Sequence, residues 1–372
     1  MLKRDVFYIA GYDPRSYRHY YALFKKELGF YENSLKMDLS KSNTSKEFPF
    51  WELSMPNVKT SYTFLAWNDI VKKNWAENFK DYLKDTFEVF RIYIITGLFI
   101  KFGKASIYQL ITGFYPFFYV LFSLIFSFVL AFLTFIFVKA YTFWFLALIF
   151  GILVLIGVNQ ISFKFGKKLA VFWIARICSF CANWHKIKQN ELEERLENFA
   201  QIVFNTLKAH QNTKNYELIL LSHSVGTILC IEVLAKLLLL CEKNNLDFSK
   251  LKIITLGECI PLVSYQKKAL EFRKNLDFIS KFDLKWYDYT SIIDGACFPQ
   301  VDFFTTSGIK EGFRPKFYSP KFHTLYEKEH YKKIKKNKYK AHFLYLMSSE
   351  IKAEYDFFNF VIGEKFLEEK IN

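Results

Sequence analysis

A serine at an abrupt bend is the residue of this chain best suited to chemistry. Residues 217–221 form a short, mostly apolar run, and Ser-His-Ser-Val-Gly-Thr follows directly at 222–227. This pattern indicates a buried strand that turns sharply into a helix and holds the Ser224 hydroxyl at the turn. A serine hydroxyl attacks a carbonyl carbon once a nearby base removes its proton, so the layout predicts a nucleophile. The alternative is that Ser224 merely caps the helix that follows.

The segment 222–227 resembles the nucleophile elbow of the α/β-hydrolase superfamily, whose usual form is Gly-x-Ser-x-Gly. Ser222 stands in the place of the first glycine, and Gly226 is retained where the following helix must pack closely. The resemblance implies that Ser224 is the nucleophile, and that an acid and then a histidine follow it along the chain. It also implies two backbone N–H groups that hold the negative charge developing on the substrate oxygen.

The order of residues in the superfamily assigns the acid to Asp294 and the base to His342. Asp294 follows a predicted strand, whereas Asp288 competes for the role but falls within that strand or at its edge. Asp294 could also belong to a plain Asp-Gly turn. His342 stands just before a last apolar segment, where the superfamily places its histidine on a loop. His330 lies in a lysine run and is expected to be solvated, and His323 remains a further possibility.

The oxyanion-binding groups implied by the resemblance are the backbone N–H groups of Val225 and Tyr12. Val225 directly follows the nucleophile, and Tyr12 follows Gly11 at the end of a predicted strand over residues 5–10. The alternative is that Gly11 only ends this strand in an ordinary glycine turn. This chemistry requires no cofactor, and none is expected.

Two uncharged stretches interrupt the sequence that precedes the serine. No charged residue occurs from Ala105 to Val138, and none from Ala140 to Phe163, with Lys139 between them. A bilayer core of ~30 Å takes about 20 helical residues, so a single helix through both stretches would be too long. We therefore predict two membrane spans, at 114–137 and 142–160, joined by a tight turn near 139–142. The alternative is a buried hairpin in the core of a soluble protein.

Basic residues flank this predicted hairpin on both sides. Lys101 and Lys104 precede it, and four more basic residues follow it between 164 and 176. The excess of positive charge predicts that both flanks face the cytoplasm. The proposed catalytic pieces also lie on both sides and can fold together only if an even number of spans separates them. We thus expect one α/β domain in two parts, 1–104 and 164–372, with a transmembrane hairpin at 105–163.

The hydrophobic pattern of the rest of the sequence predicts an α/β fold. Strands are predicted at 5–10, 58–66, 217–222, 251–257 and 283–289, and helices at 16–28, 190–210 and 225–241. Strands that alternate with helices indicate a mostly parallel sheet with helices on both faces. Ligands of such sheets bind at the carboxyl ends of the strands, which is where the serine is expected.

The formal net charge of +15 favours a polyanionic partner, either nucleic acid or an anionic lipid surface. Seven lysines fall within residues 328–340, and beside a membrane hairpin anionic headgroups are the nearer partner. A plain solvated face is the alternative. Cys178, Cys181 and His185 resemble half of a metal site, but a structural zinc site needs four ligands and no second pair follows, so no metal is expected.

These observations favour a membrane-anchored serine hydrolase that cleaves a lipid-like or acyl ester. Thioesterases, amidases and acyltransferases of the superfamily remain alternatives. A second hypothesis is a membrane scaffold or lipid-binding protein that has the fold but lacks the chemistry. A third, a membrane protein associated with nucleic acid, is less consistent with the membrane hairpin.

Overall fold

Eight strands form one sheet in the part of the chain described by the computed structural model, residues 1–31, 37–75 and 79–371. The strands are β1 (Leu2–Ile9), β2 (Asp38–Leu39), β3 (Phe50–Met55), β4 (Val58–Phe64), β5 (Tyr216–His223), β6 (Leu251–Leu256), β7 (Lys285–Tyr289) and β8 (Lys316–Tyr318). Their order across the sheet is β2-β3-β4-β1-β5-β6-β7-β8. β3 is antiparallel to both of its neighbours, and every pair from β4 to β8 is parallel. The chain is therefore a mixed α/β fold with a mostly parallel sheet.

The five predicted strands are confirmed as β1, β4, β5, β6 and β7, with ends shifted by up to three residues. The prediction missed β2, β3 and β8. β2 has two residues and β8 has three, which is too short for an alternating pattern to be visible. β3 lies at the side of the sheet where the strands are antiparallel, next to the short edge strand β2.

Helices occupy most of the remaining chain. They are α1 (Tyr17–Leu28), α2 (Asn68–Lys73), α3 (Phe79–Val89), α4 (Leu98–Ala105), α5 (Ile107–Lys139), α6 (Trp144–Lys168), α7 (Val171–Ala182), α8 (Trp184–Ile187), α9 (Glu193–Ala209), α10 (Gly226–Lys243), α11 (Pro261–Ser264), α12 (Leu270–Ile279), α13 (Phe303–Thr306), α14 (Lys328–Lys336), α15 (Lys338–Phe343), α16 (Phe357–Ile362) and α17 (Leu367–Lys370). The predicted helices at 16–28, 190–210 and 225–241 correspond to α1, α9 and α10.

The central strands bury both of their faces. Successive side chains of a strand point to opposite faces, so Leu218 and Leu220 of β5 enter one apolar cluster while Ile219 and Leu221 enter another. The first cluster includes residues of α7, α9, α10 and α12, and the second includes residues of α1, α15 and α16. Burial on both faces explains why the strand before the serine is a nearly continuous apolar run.

The two uncharged stretches form α5 and α6, which are long and apolar enough to cross a membrane. Their most apolar windows have mean hydropathies of 2.7 and 2.2, and only 11% of each window is buried inside the protein. A core hairpin would be mostly buried, so the low burial argues against that alternative. Both helices are longer than predicted. α5 begins as early as Ile107 because the Ser106 side chain caps it by accepting a hydrogen bond from the Gln109 N–H at 3.2 Å.

The helical pair interrupts a single sheet. β1–β4 precede α5 in the chain and β5–β8 follow α6, yet β1 pairs directly with β5 over seven registered residue pairs. The two helices pack against each other, with the Asn159 side-chain amide donating to Ser127 Oγ at 2.9 Å. Gly151 lets the helices approach closely, since a Cβ there would lie 3.1 Å from the Ala131 carbonyl oxygen.

Candidate active site

Ser224 lies at the junction of β5 and α10, at the carboxyl end of the central strand. Its φ of +57° is in the left-handed region, which costs a residue other than glycine on the order of 1–3 kcal/mol. Hydrogen bonds on both sides hold this conformation. The Ser224 N–H donates to the Leu256 carbonyl at 2.9 Å, and the Thr227 N–H and hydroxyl donate to the Ser224 carbonyl at 2.9 and 2.7 Å. The strain is thus located at the residue predicted to be the nucleophile.

The structure gives no support to a capping role for the Ser224 side chain. The N-cap of α10 is Val225, and no side-chain capping bond is made there. The Thr227 N–H, which a capping hydroxyl would engage, donates instead to the Ser224 backbone carbonyl. The polar neighbour of Ser224 Oγ is Cys259 Sγ, at 3.9 Å.

Two glycines allow the backbone to come close to this bend. A Cβ on Gly226 would lie 2.7 Å from the Ala10 carbonyl oxygen and nearer still to that of Ile9, so α10 can begin here only without a side chain. A Cβ on Gly11 would lie 2.9 Å from Ser224 Cβ and 3.2 Å from Ser224 Oγ. The loop after β1 therefore touches the serine directly.

The contact lies where the chain leaves the adjacent parallel strands β1 and β5, directly before Tyr12 and Val225. Within residues 1–31, 37–75 and 79–371, neither the Tyr12 nor the Val225 N–H donates a hydrogen bond to another protein group. The Tyr12 side chain is fixed on the far side, since its hydroxyl donates to the Asn74 carbonyl at 2.9 Å. Each of these N–H groups belongs to the residue directly after one of the two residues that touch, Gly11 and Ser224, and could donate to an oxyanion.

Asp294 and His342 meet as a buried pair. Asp294 lies in the loop after β7, and its carboxylate oxygens accept from His342 Nδ1 at 2.9 and 3.0 Å. Burial acts to raise the pKa of Asp294, but His342, together with the Ala296 N–H, outweighs burial and holds that pKa below its ordinary value. Since Nδ1 carries the donated proton, neutral His342 has Nε2 available as a base.

The predicted base is not hydrogen-bonded to the serine in this conformation. Among the described residues, Ser224 Oγ makes no hydrogen bond to His342, and both residues are only 4% exposed. His342 lies near the end of the short helix α15 and not on a loop as predicted. Asn337 caps that helix by accepting from the Lys340 N–H at 2.9 Å, which extends helical structure across the histidine.

The competing acid and histidines lie elsewhere. Asp288 is within β7, where the Thr255 hydroxyl donates to it at 2.5 Å, and burial raises its pKa to about 7. His323 is exposed, and His330 contacts Glu350 at the surface. Asp294 and His342 are thus the acid and histidine that the fold brings together.

His223, which was not among the predicted site residues, connects the serine strand to the predicted base. Its ring Nε2 donates to the His342 carbonyl at 2.9 Å, and the two rings are 4.7 Å apart. Burial, and then repulsion from His342, lower the pKa of His223 to about 3, so it is neutral at physiological pH. Its position next to Ser224 in the sequence was the available signal, because any side chain there must adjoin the bend.

The first apolar helix, α5, and the later helix α7 also reach the site. A Cβ on Gly295, which follows the acid, would collide with the hydroxyl of Thr112 in α5. Trp173 of α7 donates from Nε1 to the Tyr12 carbonyl at 3.3 Å, and its ring is 6.4 Å from that of His342. Side chains of both helices therefore border the site.

The three residues that resemble half of a metal site in the sequence lie on two different helices. Cys178 and Cys181 are buried free thiols of α7, and His185 belongs to α8. In the described ranges, no three His, Cys, Asp or Glu side chains form a group that could hold a metal ion.

Comparison with known proteins gives no match: no family model, no curated protein and no solved structure is significantly similar to this chain.

Proposed function

We propose that the chain is a membrane-anchored serine hydrolase of the α/β-hydrolase type that cleaves an ester of a lipid-like or acyl substrate. The observation that supports this proposal is that a strained serine, the Gly11 loop that touches it and a buried Asp294–His342 pair lie at the carboxyl ends of the strands of a mostly parallel sheet. Each part has a role in acyl transfer, and the position agrees with where parallel sheets bind ligands.

In the first half-reaction, Ser224 Oγ attacks the ester carbonyl carbon while His342 Nε2 takes the hydroxyl proton. The carbonyl oxygen becomes an oxyanion that accepts hydrogen bonds from the N–H groups of Val225 and Tyr12. Asp294 stabilises the imidazolium through Nδ1 and remains ionised, in agreement with its lowered pKa. When the intermediate collapses, the bond to the alkoxide breaks, the alkoxide takes the proton from His342, and an alcohol leaves.

In the second half-reaction, water attacks the acyl-serine. His342 takes one proton from the water, the ester bond to Ser224 breaks, and the serine oxygen takes that proton back. A carboxylic acid leaves and the enzyme is regenerated. Both half-reactions require a hydrogen bond between Ser224 Oγ and His342 Nε2, so the productive state differs from this structure by a movement at α15 or at the serine; catalytic hydrogen bonds commonly tighten only when substrate is bound.

The apolar helices support a lipid-like substrate. Anchoring through α5 and α6 would keep the protein next to esters dissolved in the bilayer. The contact of Thr112 with Gly295 places the first turns of α5 beside the loop that carries Asp294. An ester that leaves the bilayer along α5 would therefore reach the acid side of the site first.

A second candidate is a membrane scaffold or lipid-binding protein with the same fold and no activity. The observation in its favour is the 4% exposure of both Ser224 and His342, together with the missing hydrogen bond between them in the described structure. The difference between the two candidates is therefore whether Ser224 reacts.

Activity-based labelling separates these candidates. The full chain, in native membranes, is treated with a fluorophosphonate, which reacts only with an activated serine. We expect labelling that Ser224→Ala abolishes and that Asp294→Asn lowers by about 10⁴-fold through the loss of the correct histidine tautomer. Absence of labelling on the intact protein would overturn the hydrolase proposal in favour of the scaffold.

Two matched variants serve as controls. Ser222→Ala removes a buried hydroxyl two positions before the nucleophile, and Asp288→Asn removes a buried carboxyl of β7, two strands away in the sheet. Both should label at nearly the rate of the unaltered chain. Equal loss of labelling with Ser222→Ala and Ser224→Ala would show that general disruption of the bend, and not loss of a nucleophile, is responsible.

Membrane topology has its own test. The six cysteines are all buried, so a single cysteine at position 101 or 167 reports on its own exposure. We expect a membrane-impermeant thiol reagent to label both positions from the same, cytoplasmic side. Labelling from opposite sides would refute a two-span hairpin.

A further inference from the structure

The proposed reaction does not use the lysine-rich surface of α14 and α15. Residues 328–340 contain seven lysines and one acidic residue. Ile334 is buried and fixes α14 to the protein, while the side chains of Lys332, Lys333, Lys335, Lys336 and Lys338 are exposed.

Most of this charge has no internal partner. Lys332 pairs with Glu329 at 2.7 Å. Across the described residues, no carboxylate lies within ion-pair distance of Lys333, Lys335, Lys336 or Lys338. Four unpaired positive charges on one short stretch repel one another, and an external anion removes this repulsion.

The position of α15 identifies the source of that anion. Tyr339 is 43% exposed, and its ring is 5.6 Å from the ring of Trp173. Trp173 lies in the first turn of α7, directly after the end of α6 at Lys168. Tyr115, near the start of α5, donates to the Leu169 carbonyl at 2.6 Å, so both apolar helices have their ends here.

Further basic and aromatic groups surround the same junction. Lys164, Lys167 and Lys168 are exposed on the last turns of α6. Tyrosine and tryptophan concentrate where a membrane meets water, and lysines next to such a level are attracted to anionic headgroups. The basic surface is therefore continuous with the place where the chain would leave the bilayer, whereas a nucleic acid would have to approach this junction against the membrane.

We propose that α14 and α15 dock on the anionic headgroups of the same bilayer that α5 and α6 enter. The proposal rests on membrane attachment through these two helices and does not depend on hydrolysis. Each lysine near an anionic surface strengthens docking about fivefold, so the loss of three should weaken it about a hundredfold.

The test uses the full chain in vesicles, with a spin label on a single cysteine that replaces Lys336. In vesicles containing phosphatidylserine, we expect the label to be several-fold less accessible to a water-soluble relaxation agent than in phosphatidylcholine vesicles. About 1 M salt should abolish this protection, because it shortens the screening length to ~3 Å. Equal accessibility in both kinds of vesicle would overturn the proposal.

A matched pair of triple variants separates local from general charge effects. Lys333→Gln, Lys335→Gln and Lys338→Gln together should abolish the protection. In the control, the same substitution is made at Lys3, Lys214 and Lys243, which are exposed beside the amino ends of the strands. This control should retain the protection, and an equal loss in both variants would overturn the proposal.

Two further outcomes would also overturn it. Protection by added polynucleotide, with none from phosphatidylserine, would assign the surface to nucleic acid. Failure of the protein to float with phosphatidylcholine vesicles would remove the membrane attachment on which the docking depends. Loss of fluorophosphonate labelling does not bear on the docking, so a failure of the proposed reaction stays distinguishable from a failure of this surface.

Discussion

The contact between Gly11 and Ser224 gives the sharpest test of the proposed site, because it can be altered without changing any reacting group. Replacing Gly11 with alanine adds a methyl group 2.9 Å from Ser224 Cβ, 3.2 Å from Ser224 Oγ and 3.3 Å from the His223 carbonyl oxygen. Carbon atoms in contact prefer about 3.5–4.0 Å. The serine or the loop after β1 must therefore shift by roughly 0.6–1.1 Å.

This displacement sets the size of the expected effect. A misplacement of about 1 Å in a catalytic site can lower the rate on the order of 10²-fold. Inserting a methyl group into a well-packed region costs about 1–3 kcal/mol of unfolding free energy. That cost is smaller than the stability of a typical domain, about 5–15 kcal/mol. Gly11→Ala should therefore remain folded and react slowly.

The assay is the second-order rate constant of fluorophosphonate labelling, measured beside thermal unfolding of the full chain in detergent. Gly113→Ala is the matched control, since a Cβ at that helical glycine meets no described atom within 4 Å. We expect the control to label at the rate of the unaltered chain and Gly11→Ala to label about a hundredfold more slowly. An unchanged rate for Gly11→Ala would refute the placement of the loop against the serine.

Three other predictions concern buried polar groups. The pKa of His223 is lowered to about 3 in the folded chain. Between about pH 6.5 and pH 3, the unfolded chain therefore binds a proton that the folded chain does not bind, and the free energy of unfolding falls as the pH falls. His223→Phe should reduce this slope by up to about 1.4 kcal/mol per pH unit in acid unfolding followed by tryptophan fluorescence; an unaltered slope would contradict it. The pKa of Asp288 is raised to about 7, so its stabilising protonated form is lost as pH rises toward that value. Asp288→Asn should therefore raise the melting temperature more at pH 8 than at pH 5, and an equal change at both would count against a buried, protonated carboxyl. Asn159→Leu removes the hydrogen bond to Ser127 and should weaken the pairing of α5 with α6 by about 0.6 kcal/mol in detergent unfolding. Asn159→Ser should weaken the pairing less, and a larger loss with Asn159→Ser than with Asn159→Leu would contradict the hydrogen bond.

Helices and strands that are marked by a long, continuous pattern in the sequence could be predicted. The absence of charge over 105–138 and 140–163 predicted α5 and α6, and the apolar run before Ser224 predicted β5. In each case the surroundings of the segment determine which residues it can contain, so the cause is visible in consecutive residues of the sequence. The start of α5 was missed because it depends on one capping bond at Ser106 and not on hydropathy.

Contacts between distant segments could not be predicted in this way. The sequence offers no pattern that brings Thr112 to Gly295 or Trp173 to Tyr12, since these contacts depend on how α5 and α7 pack across the sheet edge. Asp294 and His342 were chosen from the order of residues in a resembling superfamily. Their hydrogen bond depends on the loop after β7 and on helix α15, which only the completed sheet brings together.

The pairing of β1 with β5 has a consequence for how the protein is made. Arg4 of β1 and Glu217 of β5 form a buried ion pair at 2.6 Å although 213 residues separate them. At about 5–20 residues per second, synthesis of that interval takes roughly 10–40 seconds. Throughout this time β1 lacks its central neighbour, and α5 and α6 are both synthesised within it. Both apolar helices are thus synthesised before the sheet can close, and the serine bend can form only on a chain in which they are already complete.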